Sequence, residues 1–326
     1  MESKPRILTN VAFWQSQTWR AAVDSIYDLS APRDPDPLSW WREVRTLWWR
    51  SFRYDAVITE GVRTSMGFAL LGLLTRRRVS QIMTEVFIDE PRPDELAWRI
   101  KTWVHGLLAH RAAGIITNSS VETVTIANRY GLPPNRLRFV PLNTTIADPH
   151  ISEHDEGYVF CGGRTLRDYT TLVMAARHIA APVVVVCGQH DLEYVTLPLP
   201  ANVTVHREVP RETYLNLLSR CRVVALPLLP TERATGQVVM LEAMALGKPV
   251  VTTSSPGTID TIRHGENGFL IEEEDPAALT HQVNALLRDH DLARRIGTQA
   301  VADMRAQGSV EGHAKAKLVA IKALLD

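Results

Sequence analysis

Residues 231–270 read TERATGQVVMLEAMALGKPVVTTSSPGTIDTIRHGENGFL and carry the densest pattern in the chain. Gly236 opens an apolar segment with helical periodicity, and Gly247, followed by a Lys-Pro pair, predicts where that helix ends. The unpaired N–H groups and the positive dipole end at its start form a site suited to an anion. Glu242 lies further along the helix, where its carboxylate could accept hydrogen bonds from a vicinal diol such as that of ribose. The alternative is an ordinary loop glycine and a solvated glutamate.

A second glycine turn, with two arginines, precedes another predicted helix. Residues 161–172 read CGGRTLRDYTTL, in which Gly163 ends an apolar strand and Arg164 and Arg167 follow it. Two guanidinium groups three residues apart beside a glycine turn can clamp a diphosphate through paired hydrogen bonds. Alternatively, both arginines are solvated surface residues and Asp168 caps the following helix.

Short β-branched runs alternate with longer helical patterns along the whole chain, which predicts an α/β fold of parallel sheets with helices on both faces. The strands lack strict polar–apolar alternation, as expected when both faces of a sheet are buried. Predicted strands fall at 6–11, 54–59, 79–87, 114–117 and 137–140, and then at 157–161, 182–187, 202–205, 222–226, 249–253 and 268–271. Predicted helices fall at 40–52, 63–75, 94–112, 119–130, 168–180, 211–220, 236–246, 258–263, 276–289, 291–306 and 311–326.

The two series of strands predict two doubly wound, Rossmann-like domains. Between them lies a polar segment with two prolines, residues 141–156, which is typical of a linker. We therefore assign residues 1–148 to a first domain and residues 149–307 to a second. Open α/β sheets bind ligands at the carboxyl ends of their strands, so we expect binding in a cleft where the two domains face each other.

The composition is that of a globular protein, because 45% of the 326 residues are hydrophobic and 22% are charged. Lys+Arg and Asp+Glu both number 36, and a net charge of zero argues against a general nucleic-acid binder. Residues 1–150 carry 19 basic and 15 acidic side chains and hold all eight tryptophans. Residues 151–326 carry 17 basic and 21 acidic side chains, so the diphosphate-binding motifs lie in the net-negative half.

Cysteine usage and hydrophobicity predict a cytoplasmic protein. Cys161, Cys187 and Cys221 lie in or beside apolar runs and show no disulfide or metal-binding spacing. The N-terminal residues lack the apolar core of a signal peptide. No apolar stretch approaches the ~18 residues that a transmembrane helix needs.

Together the motifs resemble the nucleotide-sugar-binding domain of GT-B glycosyltransferases, most closely that of the retaining glycosyltransferase family 4. The stretches LEAMALGKPVVTT (241–253) and GENGFLI (265–271) match that family nearly letter for letter, and residues 157–172, 181–189 and 202–229 are similar to its neighbouring elements. The resemblance is strong over about 150–290 and weaker over 112–142. The first 110 residues match only in their strand–helix rhythm.

The resemblance implies roles for individual residues in binding a UDP- or GDP-linked sugar donor. Arg164 and Arg167 would neutralise the diphosphate, and Glu242 would bind the ribose hydroxyls. Fixed cations at the leaving diphosphate stabilise the transition state, so the scheme needs no metal and no further cofactor. The other residues assigned to donor binding are the turn glycines Gly163 and Gly188, the base-bordering His206 and Val209, and the backbone of Thr235, Gly236, Gln237 and Val238.

One departure concerns a second glutamate. The family has two glutamates separated by seven residues, and Ala234 stands where the first is expected. The nearest carboxylate belongs to Glu232, ten residues before Glu242. Either a longer loop lets Glu232 contact the donor sugar as a catalytic residue, or this contact is lost.

The first domain matches the family less well. Residues 10–14 stand where the family often has a glycine-rich loop, and no histidine clearly matches the one that the family places here. His105 and His110 have apolar neighbours and are predicted to be packing residues. The amphipathic C-terminal segment, 308–326, is expected by resemblance to pack back on this domain.

Carboxylates of the first domain are candidates for acceptor binding. Glu60 and Asp89 follow predicted strands and Glu85 lies at the carboxyl end of one, so each either binds acceptor hydroxyls or is a solvated loop residue. Asp34 and Asp36 form the D-x-D pattern of metal-dependent GT-A enzymes. They lie in a proline-rich loop without a preceding apolar strand, so we reject a metal site there.

Residues 40–53 read WWREVRTLWWRSFR, which combines aromatic side chains with four arginines. Helical periodicity places Trp41, Val44, Trp48 and Phe52 on one face. Such a helix either contacts anionic headgroups on the inner face of a membrane or covers the sheet with its tryptophans while its arginines are solvated.

These observations predict a glycosyltransferase of the hexosyl type that acts with retention and without a metal. The acceptor, a saccharide, a lipid-linked sugar or a small molecule, is left open, as is the oligomeric state. Two alternatives are a GT-B-like phosphorylase or epimerase, and a non-catalytic nucleotide-sugar-binding subunit. A dinucleotide-dependent oxidoreductase is disfavoured because no G-x-G-x-x-G follows the first strand.

Overall fold

The computed structural model describes residues 5–30, 39–86 and 90–326, and the chain divides into two compact units. Unit 1 comprises Met1–Leu142 and Val310–Asp326, and unit 2 comprises Asn143–Ser309. The boundaries predicted from the sequence lie a few residues away, at 148 and 307. Asp34, Asp36 and Asp89, named above as candidate carboxylates, lie outside the described residues.

Unit 1 contains a parallel sheet whose strands follow the order β2-β1-β3-β4-β5-β6. The strands are β1 (Ile7–Thr9), β2 (Asp24–Ser25), β3 (Ala56–Glu60), β4 (Ser80–Thr84), β5 (Gly114–Thr117) and β6 (Leu137–Phe139). The helices are α1 (Gln17–Ala22), α2 (Trp40–Arg50), α3 (Val62–Leu74), α4 (Leu96–Ala109), α5 (Ser120–Tyr130) and, from the end of the chain, α11 (Val310–Leu325).

Unit 2 contains a second parallel sheet, with the strand order β12-β11-β10-β7-β8-β9. The strands are β7 (Val159–Gly162), β8 (Val183–Cys187), β9 (Val203–Arg207), β10 (Val223–Leu226), β11 (Val250–Thr253) and β12 (Phe269–Ile271). The helices are α6 (Tyr169–Ala176), α7 (Arg211–Arg220), α8 (Gln237–Ala245), α9 (Pro276–Arg288) and α10 (His290–Gln307). The predicted α/β class with two Rossmann-like domains is therefore confirmed.

Burial explains why most strands are continuous apolar runs. Strands β5, β7, β10 and β11 are buried at every position, since residues pointing to both faces of the sheet are covered. Helix α11 contributes to the same kind of packing in unit 1. Its apolar residues pack with strand isoleucines in one cluster that includes Ile58, Ile82, Ile116, Ala314, Ala320 and Ile321.

Three local features differ from the sequence-based predictions. Helix α1 and strand β2 were not predicted, because six and two residues are too few to show a periodicity. The helix predicted over 258–263 is wrong. There the backbone forms turns, in which Thr258 Oγ1 donates to Thr253 O and accepts from Ser255 N, so the side chain competes with helix formation.

Helix α2 only partly matches the face predicted for residues 40–53. Val44 and Trp48 are buried, and the Trp48 ring packs edge-on against Phe68 with 5.5 Å between centroids. Trp41 and Phe52, predicted to share that face, are instead 48% and 60% exposed.

No helix in the described parts of the chain is long and apolar enough to cross a membrane.

Candidate functional site

A pocket of about 250 Å³ lies where strands β7 and β8 end in unit 2. Five residues that were predicted to bind the donor line it, namely Gly163, Arg164, Val209, Val238 and Glu242. The lining also includes residues that the sequence did not single out, namely Val186, Cys187, Arg211, Tyr214 and Val239. The site thus occupies the carboxyl edge of a parallel sheet, where open α/β folds bind ligands.

The turn after β7 presents one arginine to solvent. Gly163 has φ = +126°, a conformation that favours glycine, and it reverses the chain directly after the strand. The Arg164 side chain is 65% exposed, and its Nη2 lies 2.7 Å from Glu208 Oε2. An exposed ion pair of this kind contributes little stability, so an anionic ligand can replace Glu208 at small cost.

Arg167 occupies a different environment from Arg164, because it is buried. Its Nε donates to Gly162 O (2.9 Å), and its Nη1 donates to Thr165 O (2.7 Å) and Thr235 Oγ1 (3.4 Å). Burial lowers the pKa of Arg167, although a guanidinium stays charged in proteins. Arg167 thus links the turn after β7 to the segment before α8.

Gly163 and Arg167 are in direct contact, which gives a testable requirement for glycine. A Cβ built at Gly163 would lie 2.2 Å from Arg167 Nη2 and 2.4 Å from its Cζ. We expect Gly163→Ala to displace the guanidinium, lower the free energy of unfolding by about 1–3 kcal/mol and weaken nucleotide binding about tenfold. Chemical denaturation and nucleotide titration measure both effects.

Gly157 provides the matched control for this variant. It also has a positive φ, +76°, but no atom lies within 4 Å of a Cβ built there. Gly157→Ala therefore reports the backbone cost alone. Equal losses of stability and of nucleotide affinity in Gly157→Ala and Gly163→Ala would contradict the role given to the Gly163–Arg167 contact.

The start of α8, predicted from the sequence to bind an anion, lies beside the pocket. Gly236 is the N-cap with φ = +81°, and it has no side chain to cap the first backbone N–H groups. Thr235 is buried against Arg167, whereas Val238 in the first turn is 48% exposed and lines the pocket. The first turn of α8 therefore faces the pocket with its positive dipole end. Gln237 begins the helix beside them.

Glu242 on α8 is the most buried charge in the pocket, with a fully covered side chain. Its Oε1 accepts from Thr145 Oγ1 and Arg211 Nη2, and its Oε2 accepts from Arg211 Nη1 (3.2 Å) and Tyr214 OH (2.8 Å). A carboxylate offers about four acceptor positions, so all of them are engaged. The half-exposed Arg211 can move away to admit a ligand hydroxyl, while Tyr214 holds the carboxylate in place.

The partners of Glu242 in the pocket were not singled out from the sequence. Burial and the charge of Glu242 raise the pKa of Tyr214, so its hydroxyl stays a donor. Burial lowers the pKa of Arg211, but the hydrogen bonds and charge of Glu242 raise it overall. The one available signal was the position of Arg211 in the first turn of α7, directly after Pro210.

Several predicted site residues lie outside the pocket lining. Gly188 follows β8, and its N–H donates to Asp191 Oδ2 (2.6 Å). His206 is half-buried on β9, and two strands, β8 and β7, separate it from β10 and the loop that leads into α8. Glu232 is exposed in that loop, whereas Ala234, at the position where the family has its first glutamate, is buried. Asp168 accepts from Thr171 N and caps α6.

A pair of Rossmann-like domains, with the anion-binding elements in the second, is the architecture of the GT-B class of glycosyltransferases. Residues 8–143 match the family described as glycosyl transferase 4-like domain, and residues 158–289 match glycosyl transferases group 1. Together the two matches cover most of the chain, which therefore belongs to the group 1 glycosyltransferases of the GT-B fold.

Individual relatives share shorter stretches of sequence. The capsular polysaccharide biosynthesis glycosyltransferase CapM of Staphylococcus aureus is 41% identical over 68 residues, which are 21% of this chain and 18% of CapM. The N-acetyl-alpha-D-glucosaminyl L-malate synthase of Bacillus anthracis is 39% identical over 75 residues, which are 23% of this chain and 20% of the synthase. The matched stretches thus span about a fifth of the length of these curated relatives.

The fold extends the likeness over nearly the whole chain. Anabaena HepE, crystallised with UDP, has a TM-score of 0.73 at 18% identity, covering 98% of this chain and 100% of HepE. The sucrose-phosphate synthase of Thermosynechococcus elongatus has a TM-score of 0.69 at 17% identity, covering 95% and 96% of the two chains.

Proposed function

We propose that this protein transfers a sugar from a nucleoside-diphosphate sugar to an acceptor. The observation that carries the proposal is one pocket that brings together the Arg164 guanidinium, the start of α8 and the buried Glu242 carboxylate. Their chemistry matches the diphosphate and the ribose of one donor. UDP is the first nucleotide to test, because the fold neighbour HepE was crystallised with it.

The proposed mechanism depends on charge at the leaving group. As the glycosidic bond breaks, negative charge grows on the departing diphosphate. Arg164 and the α8 dipole are positioned to stabilise that charge more strongly in the transition state than in the bound donor. We propose that these groups suffice without a metal ion, and that transfer proceeds with retention, as the resemblance to family 4 implies. Arg167 positions the turn that carries Arg164, and Glu232 stays a candidate for contacting the donor sugar.

The experiment that tests this proposal is a donor screen. The purified chain is incubated with UDP- and GDP-linked sugars and mixed acceptors, and mass spectrometry follows glycosylated product and released nucleoside diphosphate. We expect both products to appear in equal amounts, with the anomeric configuration of the donor retained. Product that requires orthophosphate, or that forms without acceptor, would indicate a phosphorylase or an epimerase. Donor binding without any product would indicate a non-catalytic subunit.

We also propose that unit 1 contacts an anionic membrane through a surface formed by α2 and the short 3₁₀ helix Ser51–Arg53. On this surface Trp49 is 71% exposed and Phe52 is 60% exposed. Arg42, Arg45 and Arg50 are exposed alongside them. Exposed aromatic rings beside arginines suit the boundary between headgroups and acyl chains. The cytoplasmic side is proposed because all three cysteines are free and buried, as in reducing compartments.

Removing two of these rings tests the proposed membrane contact. We expect the double variant Trp49→Ala with Phe52→Ala to partition into phosphatidylglycerol vesicles about tenfold less than the unmodified protein, since apolar burial is lost. Vesicle co-sedimentation measures this, and Leu199→Ala, at a 47% exposed position of unit 2, is the control. Equal sedimentation of all three proteins would contradict a contact through α2.

A further inference from the structure

Unit 1 contains a buried pair of polar side chains that the donor site does not use. His313 and Lys317 lie one turn apart on α11, with 2% and 0% of their surface exposed. Phe13, in the loop after β1, covers both of them. Its ring centroid lies 5.2 Å from that of His313 and 4.9 Å from Lys317 Nζ.

Each of these side chains has an unpaired polar atom. His313 Nε2 and Lys317 Nζ make no hydrogen bond with any residue that the structure describes, and Thr84 Oγ1 at the end of β4 makes none either. Leaving an ammonium buried without a partner is costly, so proteins rarely keep one unless a ligand or water completes it. All three residues belong to unit 1, at the carboxyl edge of its sheet or on the helix packed against it.

The hydrogen-bonding roles of the two atoms are opposite. His313 Nδ1 lies 2.6 Å from Pro141 O, and because a carbonyl only accepts, Nδ1 carries the proton. Burial and the nearby Lys317 lower the pKa of His313 to about 3, so the imidazole is neutral and Nε2 is an acceptor. A charged Lys317 Nζ is a donor and has no lone pair with which to accept. A hydroxyl group satisfies both, because it can donate to Nε2 while accepting from Nζ.

The surrounding charges favour a neutral ligand over an anion. Burial lowers the pKa of Lys317, whereas the carboxylates of Glu85 and Glu60 oppose that shift. Glu60 ends β3 and Glu85 directly follows β4, so both carboxylates lie at the carboxyl edge of the sheet, and both act electrostatically on Lys317. A phosphate or carboxylate would meet net repulsion here, while further hydroxyls can donate to the glutamates.

We propose that unit 1 binds the acceptor as an uncharged polyhydroxyl compound, a sugar or polyol, with one hydroxyl bridging Lys317 Nζ and His313 Nε2. This inference rests on the proposed function in one respect, because it takes the bound compound to be the acceptor of the transferred sugar. Phe13 covers both atoms, so its ring moves aside when the hydroxyl enters. Lys317 and His313 are then binding residues of the acceptor site.

The test compares neutral sugars with their phosphate esters. Glucose and glycerol, and separately glucose 6-phosphate and glycerol 3-phosphate, are titrated against thermal stability with UDP or GDP present. We expect the neutral compounds to bind more tightly than their esters. Lys317→Met and His313→Leu should each weaken sugar binding about 10- to 100-fold while nucleotide binding stays unchanged. Lys315→Met, at an exposed position of the same helix, should behave as the unmodified protein.

Loss of folding does not explain the expected result, because replacing an unpaired buried ammonium by methionine should raise thermal stability. The inference is overturned if the esters bind better, if both variants bind sugar normally, or if a nucleotide binds but no neutral compound does. The last outcome would mean that a buried water completes the pair. Failure to bind any nucleotide would instead count against the proposed function, whose donor pocket lies in unit 2.

Discussion

Glu242→Ala should weaken binding of the nucleoside diphosphate by about 100- to 1,000-fold, or about 3 to 4 kcal/mol. Each hydrogen bond between a carboxylate and a ribose hydroxyl contributes about 1.5–3 kcal/mol, and the variant loses two of them. Calorimetric titration of UDP and GDP measures the effect directly. The loss should appear in binding rather than only in turnover, because the ribose lies away from the bond that breaks.

The variant also disturbs the network inside unit 2, so folding must be checked separately. Without Glu242, the Tyr214 hydroxyl and the Arg211 guanidinium lose their main acceptor. Glu242→Gln, which keeps the shape and removes the charge, separates this effect from lost ribose binding. Glu212→Ala, at an exposed position of α7, is the matched control. Normal nucleotide affinity in a folded Glu242→Ala protein would exclude ribose recognition by this residue.

Arg164→Ala should lower kcat by about 100- to 1,000-fold with a smaller change in KM for the donor. The reason is that a fixed cation at the leaving diphosphate acts mainly on the charge that develops in the transition state. Arg164 pairs with Glu208 on the surface, and this pair is weak enough to be exchanged for a diphosphate. Steady-state kinetics with the donor found in the screen gives both constants.

Two further variants make this result specific. Arg164→Lys keeps the charge but loses paired hydrogen bonding, so its kcat should lie between that of the unmodified protein and that of Arg164→Ala. Arg177→Ala removes an exposed arginine that ends α6 and donates to Pro198 O, and it should leave kcat unchanged. An effect on KM alone would mean that Arg164 binds ground state and transition state equally, against the mechanism proposed here.

The sequence was most informative where function depends on local backbone. The start of α8, with Gly236 and Glu242, was predictable because a glycine N-cap and a helical position follow from neighbouring residues. Gly163 and Arg164 were predictable for the same reason, since a strand, a glycine turn and a basic side chain are contiguous. The two-sheet architecture followed from the alternation of apolar runs and helical patterns.

The sequence was least informative where distant segments meet. Thr145 and Arg211 lie 97 and 31 residues from Glu242, and nothing local links them to it. Arg164 and Arg167 look equivalent in the sequence, but one is exposed and the other buried, because burial is decided by tertiary packing. The pairing of Lys317 with Phe13 and His313 likewise depends on α11 returning to unit 1.

The central claim is that unit 2 binds a nucleoside diphosphate, and the most direct test is thermal unfolding of the unmodified protein with UDP and with GDP. A ligand present at about 100 times its Kd should raise the free energy of unfolding by about 2.7 kcal/mol. We expect this stabilisation for one of the two nucleotides, and we expect it to vanish in Glu242→Ala. If neither nucleotide changes the unfolding temperature at any concentration, unit 2 does not hold the proposed donor site.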